Sequence, residues 1–278
     1  MRKSLTPAKV IVTLLLILGA TAFTIPFIWT LSTALKSGEE FATEPGRFLP
    51  HHIVFENFGK VWTELPFARF MLNTICITAI TTVASVLTGS LVAYGFSRFE
   101  FKARNFLFYT MLATMMLPGQ VMQIPVFMIW RGLGAIDTYY PLIVPAFFGG
   151  GAFNIFLLRQ FFLGIPKELD EAAMIDGANF FTIWWRVLIP LCGPALATVA
   201  IFSYLGQWDN FEAPLIYLNS PEKYTVSIGL RMFQDSFGTN FEQVMAASVI
   251  HIVPTVILFI CAQRYFLKGI NLSGLGGR

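Results

Sequence analysis

Charge is what this sequence has least of. Asp, Glu, Lys and Arg make up 13% of its 278 residues, about half the ~25% of an ordinary soluble domain, while 55% are hydrophobic. A chain this apolar belongs in a lipid bilayer. The net charge is only +3, and Lys and Arg are scattered between apolar runs rather than gathered into a stripe that could follow a phosphate backbone, which argues against a nucleic-acid partner. Cysteine is scarce too. Cys76, Cys192 and Cys261 lie inside apolar runs and form no C-x-x-C pair, so neither a disulfide framework nor a zinc site is expected. Also missing are the G-x-x-x-x-G-K-[ST] phosphate cradle, H-E-x-x-H and the G-x-S-x-G nucleophile elbow. The chain is therefore not expected to hydrolyse ATP by itself.

What is present is length without charge. Six stretches lacking Asp, Glu, Lys and Arg, residues 10–35, 70–97, 105–130, 138–158, 187–208 and 243–263, are each 21 to 28 residues long. A spanning helix needs about 20. The expected fold class is all-α: a polytopic membrane protein with six transmembrane helices. Residues 1–69 would hold the first helix and an outer loop, and 70–278 a core of five more helices. The first run starts like a secretory signal, with Arg2, Lys3 and Lys9 before it and Ala20-Thr21-Ala22 within it. It continues to Leu35, however, so an uncleaved helix is expected. With the N-terminus inside, the inner segments carry 12 Lys and Arg and the outer segments 7, the sense of the positive-inside rule. Both termini are thus expected in the cytoplasm.

Several features inside the runs invite a role. Pro118, Gly119 and Gln120 interrupt the third, with Pro125 further on, and should kink it. Freed backbone groups survive in a membrane only against protein or a wet cavity, which makes these three residues candidates for a translocation path. Thr74, Thr78, Thr81, Ser85 and Thr88, with Gly89, share one face of the second run; small and hydroxyl side chains at that spacing chiefly let helices approach closely. His251 lies within the sixth run and reads as a neutral imidazole hydrogen-bonded inside the bundle rather than a proton relay. Trp208, Asn210 and Phe211, at the outer end of the fifth, are candidates for a cavity mouth, although an interfacial aromatic belt accounts better for the tryptophan.

The loop 159–186 is the most informative segment. Pro166 suits the first turn of a helix, Glu168, Asp170 and Glu171 complement its dipole, and Gly177 can stop it. A helix over 166–176 would be about 16 Å long at ~1.5 Å per residue, too short to span, and would lie at the cytoplasmic surface. Leu169, Ala172, Ala173 and Asp176 then share one face, slim enough to enter a groove on another protein. Headgroup-binding amphipathic helices usually carry Lys and Arg, whereas here acids dominate.

Glu171-Ala172-Ala173 followed by Gly177 and then Val187-Leu188-Ile189-Pro190 resembles the E-A-A-x-x-x-G coupling motif of ATP-binding-cassette (ABC) importer permeases. Leu157-Leu158-Arg159-Gln160-Phe161-Phe162, Ile175-Asp176-Gly177-Ala178, Trp208-Asp209-Asn210-Phe211 and Gln263-Arg264-Tyr265-Phe266 resemble its carbohydrate branch, the MalG-like subunits. The tail, Gly276-Gly277-Arg278, departs from the endings of many relatives. The resemblance implies an ABC importer type I transmembrane domain in a bacterial inner membrane. Its partners would be a second homologous permease, two cytoplasmic ATPase subunits that hold ATP and magnesium, with no cofactor in this chain, and an extracytoplasmic sugar-binding protein. Glu171, Ala172, Ala173, Asp176 and Gly177 would couple this subunit to the ATPase. The resemblance leaves a non-sugar cargo such as glycerol phosphate open. An ion-coupled secondary transporter would be expected to carry ionisable residues inside its spans; the six runs, defined by lacking Asp, Glu, Lys and Arg, leave only His251.

Overall fold

The computed structural model describes residues 7–236 and 240–273, with side chains for 7–233 and 240–263; the tail 276–278 lies outside the described residues. In chain order the helices are α1 (Pro7–Ala34), α2 (Gly38–Thr43), α3 (Glu56–Glu64), α4 (Phe67–Arg98), α5 (Arg104–Ala113), α6 (Gly119–Gly132), α7 (Tyr140–Ile143), α8 (Ala152–Leu163), α9 (Glu168–Ile175), α10 (Phe180–Thr182), α11 (Ile189–Leu191), α12 (Gly193–Trp208), α13 (Glu212–Tyr217), α14 (Val226–Ser236) and α15 (Phe241–Ser273). Among the described residues there is no strand.

Four helical segments are long and apolar enough to cross a membrane: Pro7–Ala34, Phe67–Arg98, Tyr140–Leu163 and Phe241–Gln263. Two bent pairs raise the number to six. Arg104–Met116 and Gly119–Gly132 meet at 105°, and Phe180–Leu191 and Gly193–Trp208 at 85°. The first bend is far more than the kink expected. The ring of Pro118 pushes the residue before it out of the helical region, and Leu117 is extended at ψ 120°. In the second, Pro190 has no N–H to return to Arg186, and the backbone over Ile183–Leu188 widens into a π-helical turn. Cys192 then leaves helical geometry before Pro194 starts α12.

The chain divides into two compact units. The first joins Met1–Phe67 to Gly229–Pro254. Its α1 is exposed around nearly its whole girth as far as Leu31, as suits a helix solvated by apolar surroundings. Beyond α1 the side chain of Lys36 is fully buried: its Nζ donates to the Arg47 carbonyl at 2.5 Å and lies over the Trp29 ring. Asn57 donates to the carbonyls of Ala34 and Lys36.

The second unit, Ala68–Ile228 with Thr255–Arg278, carries the main core: Tyr94, Ile155, Leu158, Phe162, Ile183, Leu188 and Val199 are buried together. The polar face of α4 lies inside it, with Thr74, Thr78, Thr81 and Ser85 all buried. Gly149, Gly150 and Gly151 run consecutively at φ 92°, 64° and 104°, a path that L side chains rarely adopt, and pass close to α4. Thr88 Oγ1 accepts from Gly149 N–H at 3.1 Å and reaches the Ala146 carbonyl at 3.1 Å.

Candidate functional site

Two places in the second unit bring together the residue types that transport requires. The first is a cavity of about 630 Å³. Thr81 and Ser85, midway along α4, contribute hydroxyls; Asn154 of α8 and Ser203 and Gln207 of α12 face them. Phe148, Phe153 and Phe202 add ring faces and edges, the last two packing at 5.8 Å. Asn154 Nδ2 is held by the Gly150 carbonyl at 2.8 Å and the Ser203 hydroxyl at 3.2 Å, which fixes the amide at the wall and leaves its oxygen available as an acceptor. The lining thus combines hydrogen-bonding groups with apolar ring surface and carries no charge.

The path residues named from sequence lie elsewhere. Pro118, Gly119 and Gln120 are exposed at the break between α5 and α6 and do not line this cavity. Trp208 is 2% exposed and stacks on Tyr204 at 5.3 Å. Asn210 Oδ1 accepts from Ala213 N–H at 3.2 Å and thereby starts α13, beside a half-buried Phe211. It is Gly206 and Gln207, one turn earlier, that reach the cavity. His251 is buried.

The second place is α9. It begins two residues later and ends one residue earlier than expected. Its end is a Schellman motif: Ala178 N–H donates to the Ala173 carbonyl at 2.9 Å and Gly177 N–H to that of Met174 at 3.0 Å, with Gly177 at φ 84°. Leu169, Glu171, Ala172 and Asp176 are exposed, and Ile175 is 87% exposed. The structure corrects one expectation: Ala173 does not share this open face. It is half-buried and packs on the core around Phe162 and Ile183, because its Cβ projects one turn on from Asp170, the buried acid of the helix.

Asp170, read from the sequence only as a complement to the helix dipole, is buried against an arginine. Its carboxylate Oδ2 lies 2.6 Å from Nε of Arg98, the last residue of α4, and both side chains are nearly covered. Arg98 Nη2 also donates to the Ile165 carbonyl at 3.0 Å, just before α9. Burial pushes the Asp170 carboxyl above its usual range, while Arg98 and then Lys167 pull it back. Two more arginines hold the same end of α4: Arg159 Nε donates to Phe96 O and Arg104 Nη1 to Phe99 O, each at 3.3 Å. Cations at a helix C-terminus satisfy its orphan carbonyls and complement its dipole.

Residues 85–271 match the family model of the binding-protein-dependent transport system inner membrane component. The chain belongs to this family. Among curated relatives of this inner membrane component, the arabinooligosaccharides transport system permease protein AraQ of Halalkalibacterium halodurans is 38% identical over 83% of this chain and 82% of its own length. The melibiose/raffinose/stachyose import permease protein MelC of Bacillus subtilis is 29% identical over the full length of both chains. A solved bacterial ABC transporter involved in the import of the acidic polysaccharide alginate contains a chain that superposes with a TM-score of 0.83 at 28% identity, covering 95% of this chain and 99% of that one. The protein is thus a multi-pass membrane protein with an all-α ABC importer transmembrane fold.

Proposed function

We propose that this inner membrane component is a translocating subunit of an ATP-driven importer whose cargo is a sugar or oligosaccharide, moved by alternating access. The observation that carries the reading is the uncharged cavity between α4, α8 and α12, where amides and hydroxyls stand beside phenylalanine rings. Sugar hydroxyls pair with the former and the apolar faces of sugar rings lie on the latter. The printed names of its relatives, permeases for arabinooligosaccharides and for melibiose, raffinose and stachyose, support the same cargo class. The end of the molecule carrying α9 faces the cytoplasm in this reading, with both termini, in keeping with the excess of Lys and Arg there. The open face of α9 docks on one of two ATPase subunits, which hold ATP and magnesium. A second homologous permease completes the pathway, and an extracytoplasmic binding protein delivers the sugar.

The test is uptake into vesicles containing the assembled complex, with ATP inside, the binding protein outside, and a panel of labelled oligosaccharides. ATP-dependent accumulation of an oligosaccharide is expected. Uptake of glycerol phosphate alone, or uptake driven by an ion gradient without ATP, overturns the reading.

A further inference from the structure

We infer that Arg98 is a positioning residue that ties the movement of α9 to α4, and through α4 to the cavity wall; the inference rests on the coupling role proposed above. α9 bears several acids, of which Glu168 and Glu171 are exposed, while Asp170 is turned inward and buried. Its partner Arg98 touches α9 by charge at Asp170 and the preceding turn by a hydrogen bond to Ile165 O. One rigid planar fork therefore fixes both the position and the direction of the short helix, which a flexible ammonium could not do. The pair lies beside a small pocket of about 120 Å³ that is also walled by Tyr94, Phe99, Phe180 and Ile183, and Phe99 packs edge-on against both Tyr94 and Phe180.

Two observations separate positioning from simple stapling. First, the pair is a buried ion pair that is incompletely satisfied: Arg98 Nε meets Asp170 Oδ2 at 2.6 Å, while Asp170 Oδ1 has no hydrogen-bond partner among the described residues. Buried ion pairs of this kind commonly stabilise a fold no better than apolar residues of the same size, and their better-attested contribution is to fix one arrangement. Second, α4 is an unbroken helix without proline from Phe67 to Arg98, and Ser85 and Thr81 on it line the cavity. At ~1.5 Å per residue, Ser85 lies about 20 Å from Arg98. Of the two covalent connections of α9, the one that follows it passes through the π-helical turn and the 85° bend, which can absorb a displacement instead of passing it on; the one that precedes it runs through 164–167 into α8, and Arg98 holds that turn too, at the Ile165 carbonyl.

The experiment uses the complex with its ATPase subunits and binding protein, and compares Asp170→Asn, Arg98→Lys and the double variant Arg98→Met with Asp170→Leu. The readouts are ATPase co-purification, melting temperature in detergent, and the ratio of ATP hydrolysis with binding protein and sugar to hydrolysis without. Asp170→Asn and Arg98→Lys are expected to keep the ATPase bound but to lower that ratio about 5-fold or more, the scale of an ordinary coupling free energy. The double variant, apolar on both sides, is expected to regain wild-type melting while the ratio stays low. Recovery of the ratio together with melting makes the pair a staple only and overturns the inference, as does a wild-type ratio in Asp170→Asn. Failure of the wild-type chain to recruit the ATPase instead overturns the coupling role itself.

Discussion

A Cβ on Gly89 of α4 would lie 2.9 Å from the carbonyl oxygen of Gly149, closer than real Cβ contacts come. The hydroxyl and glycine face of α4 is therefore the seat on which the 149–151 turn rests, and that turn shapes the cavity. Gly89→Ala is expected to force the turn away from α4, lowering stability by about 1–3 kcal/mol as other overpacking changes do, with sugar uptake falling further than melting alone explains. Gly150→Ala should be worse, since its Cβ would strike Ser85 and its backbone sits at φ 64°. Melting in detergent and vesicle uptake, measured on both variants, check the ranking.

Ala172 and Ala173 are adjacent, but the first is exposed and the second half-buried against the core, and the same substitution should separate them. Ala173→Trp drives a large ring into the core that Ala173 already touches, so loss of melting temperature is expected, with a cost of about 1–3 kcal/mol or more. Ala172→Trp should leave melting unchanged and weaken retention of the ATPase subunits. Equal retention in Ala172→Trp and wild type would remove the open face of α9 from the docking surface.

The spans were legible because solvation in lipid is a compositional demand that each stretch must meet alone, and the coupling segment because its helix, stop glycine and acids are local. Proline marked the break at Pro118 but not its 105°, since a proline shows where a helix ends and not where the chain goes next. The second bend was read straight through, although Pro190, Gly193 and Pro194 lie in it. The cavity was not legible at all: Ser85, Asn154 and Gln207 are ordinary polar residues in three different runs, and only the packing of α4, α8 and α12 brings them together. Asp170 was hidden for a similar reason. Nothing in a helix with acids on several sides marks the one that faces an arginine on another element.

Asp137, the non-glycine residue at positive φ (59°) among the described residues, accepts from Asn219 N–H at 3.0 Å, Ser220 N–H at 2.9 Å and Lys223 Nζ at 2.9 Å. The Lys223 hydrogen bond, followed by those from Ser220 and Asn219, holds its carboxyl far below the usual range. A depressed carboxylate contributes stability that is present above its unfolded pKa of about 3.9 and is lost as pH falls through the folded value. Asn keeps the shape and tolerates the left-handed backbone, so Asp137→Asn isolates the charge. The melting difference between wild type and Asp137→Asn is expected to be the same at about pH 5 and pH 8 and to shrink only below about pH 4. A difference that fades between pH 8 and 5 would contradict the clamp.

Gly177 supplies the sharpest test of α9, because its surroundings make the outcome depend on backbone conformation alone. A Cβ built on Gly177 meets nothing within 4 Å, so no substitution there is limited by space. Its φ of 84° is nevertheless a region that costs L residues about 1–2 kcal/mol, with Asn best able to enter it and β-branched residues least. The Schellman hydrogen bonds to Ala173 and Met174 depend on that conformation. If Gly177 acts by closing α9 and aiming the chain toward α10, retention of the ATPase subunits and sugar-stimulated hydrolysis should fall in the order Gly, Asn, Ala, Val. If it acted by leaving room for a partner's side chain, size would rule instead, and Ala would outperform the larger Asn. Measuring Gly177→Asn, Gly177→Ala and Gly177→Val in the assembled complex separates the two, because the Asn and Ala variants exchange places.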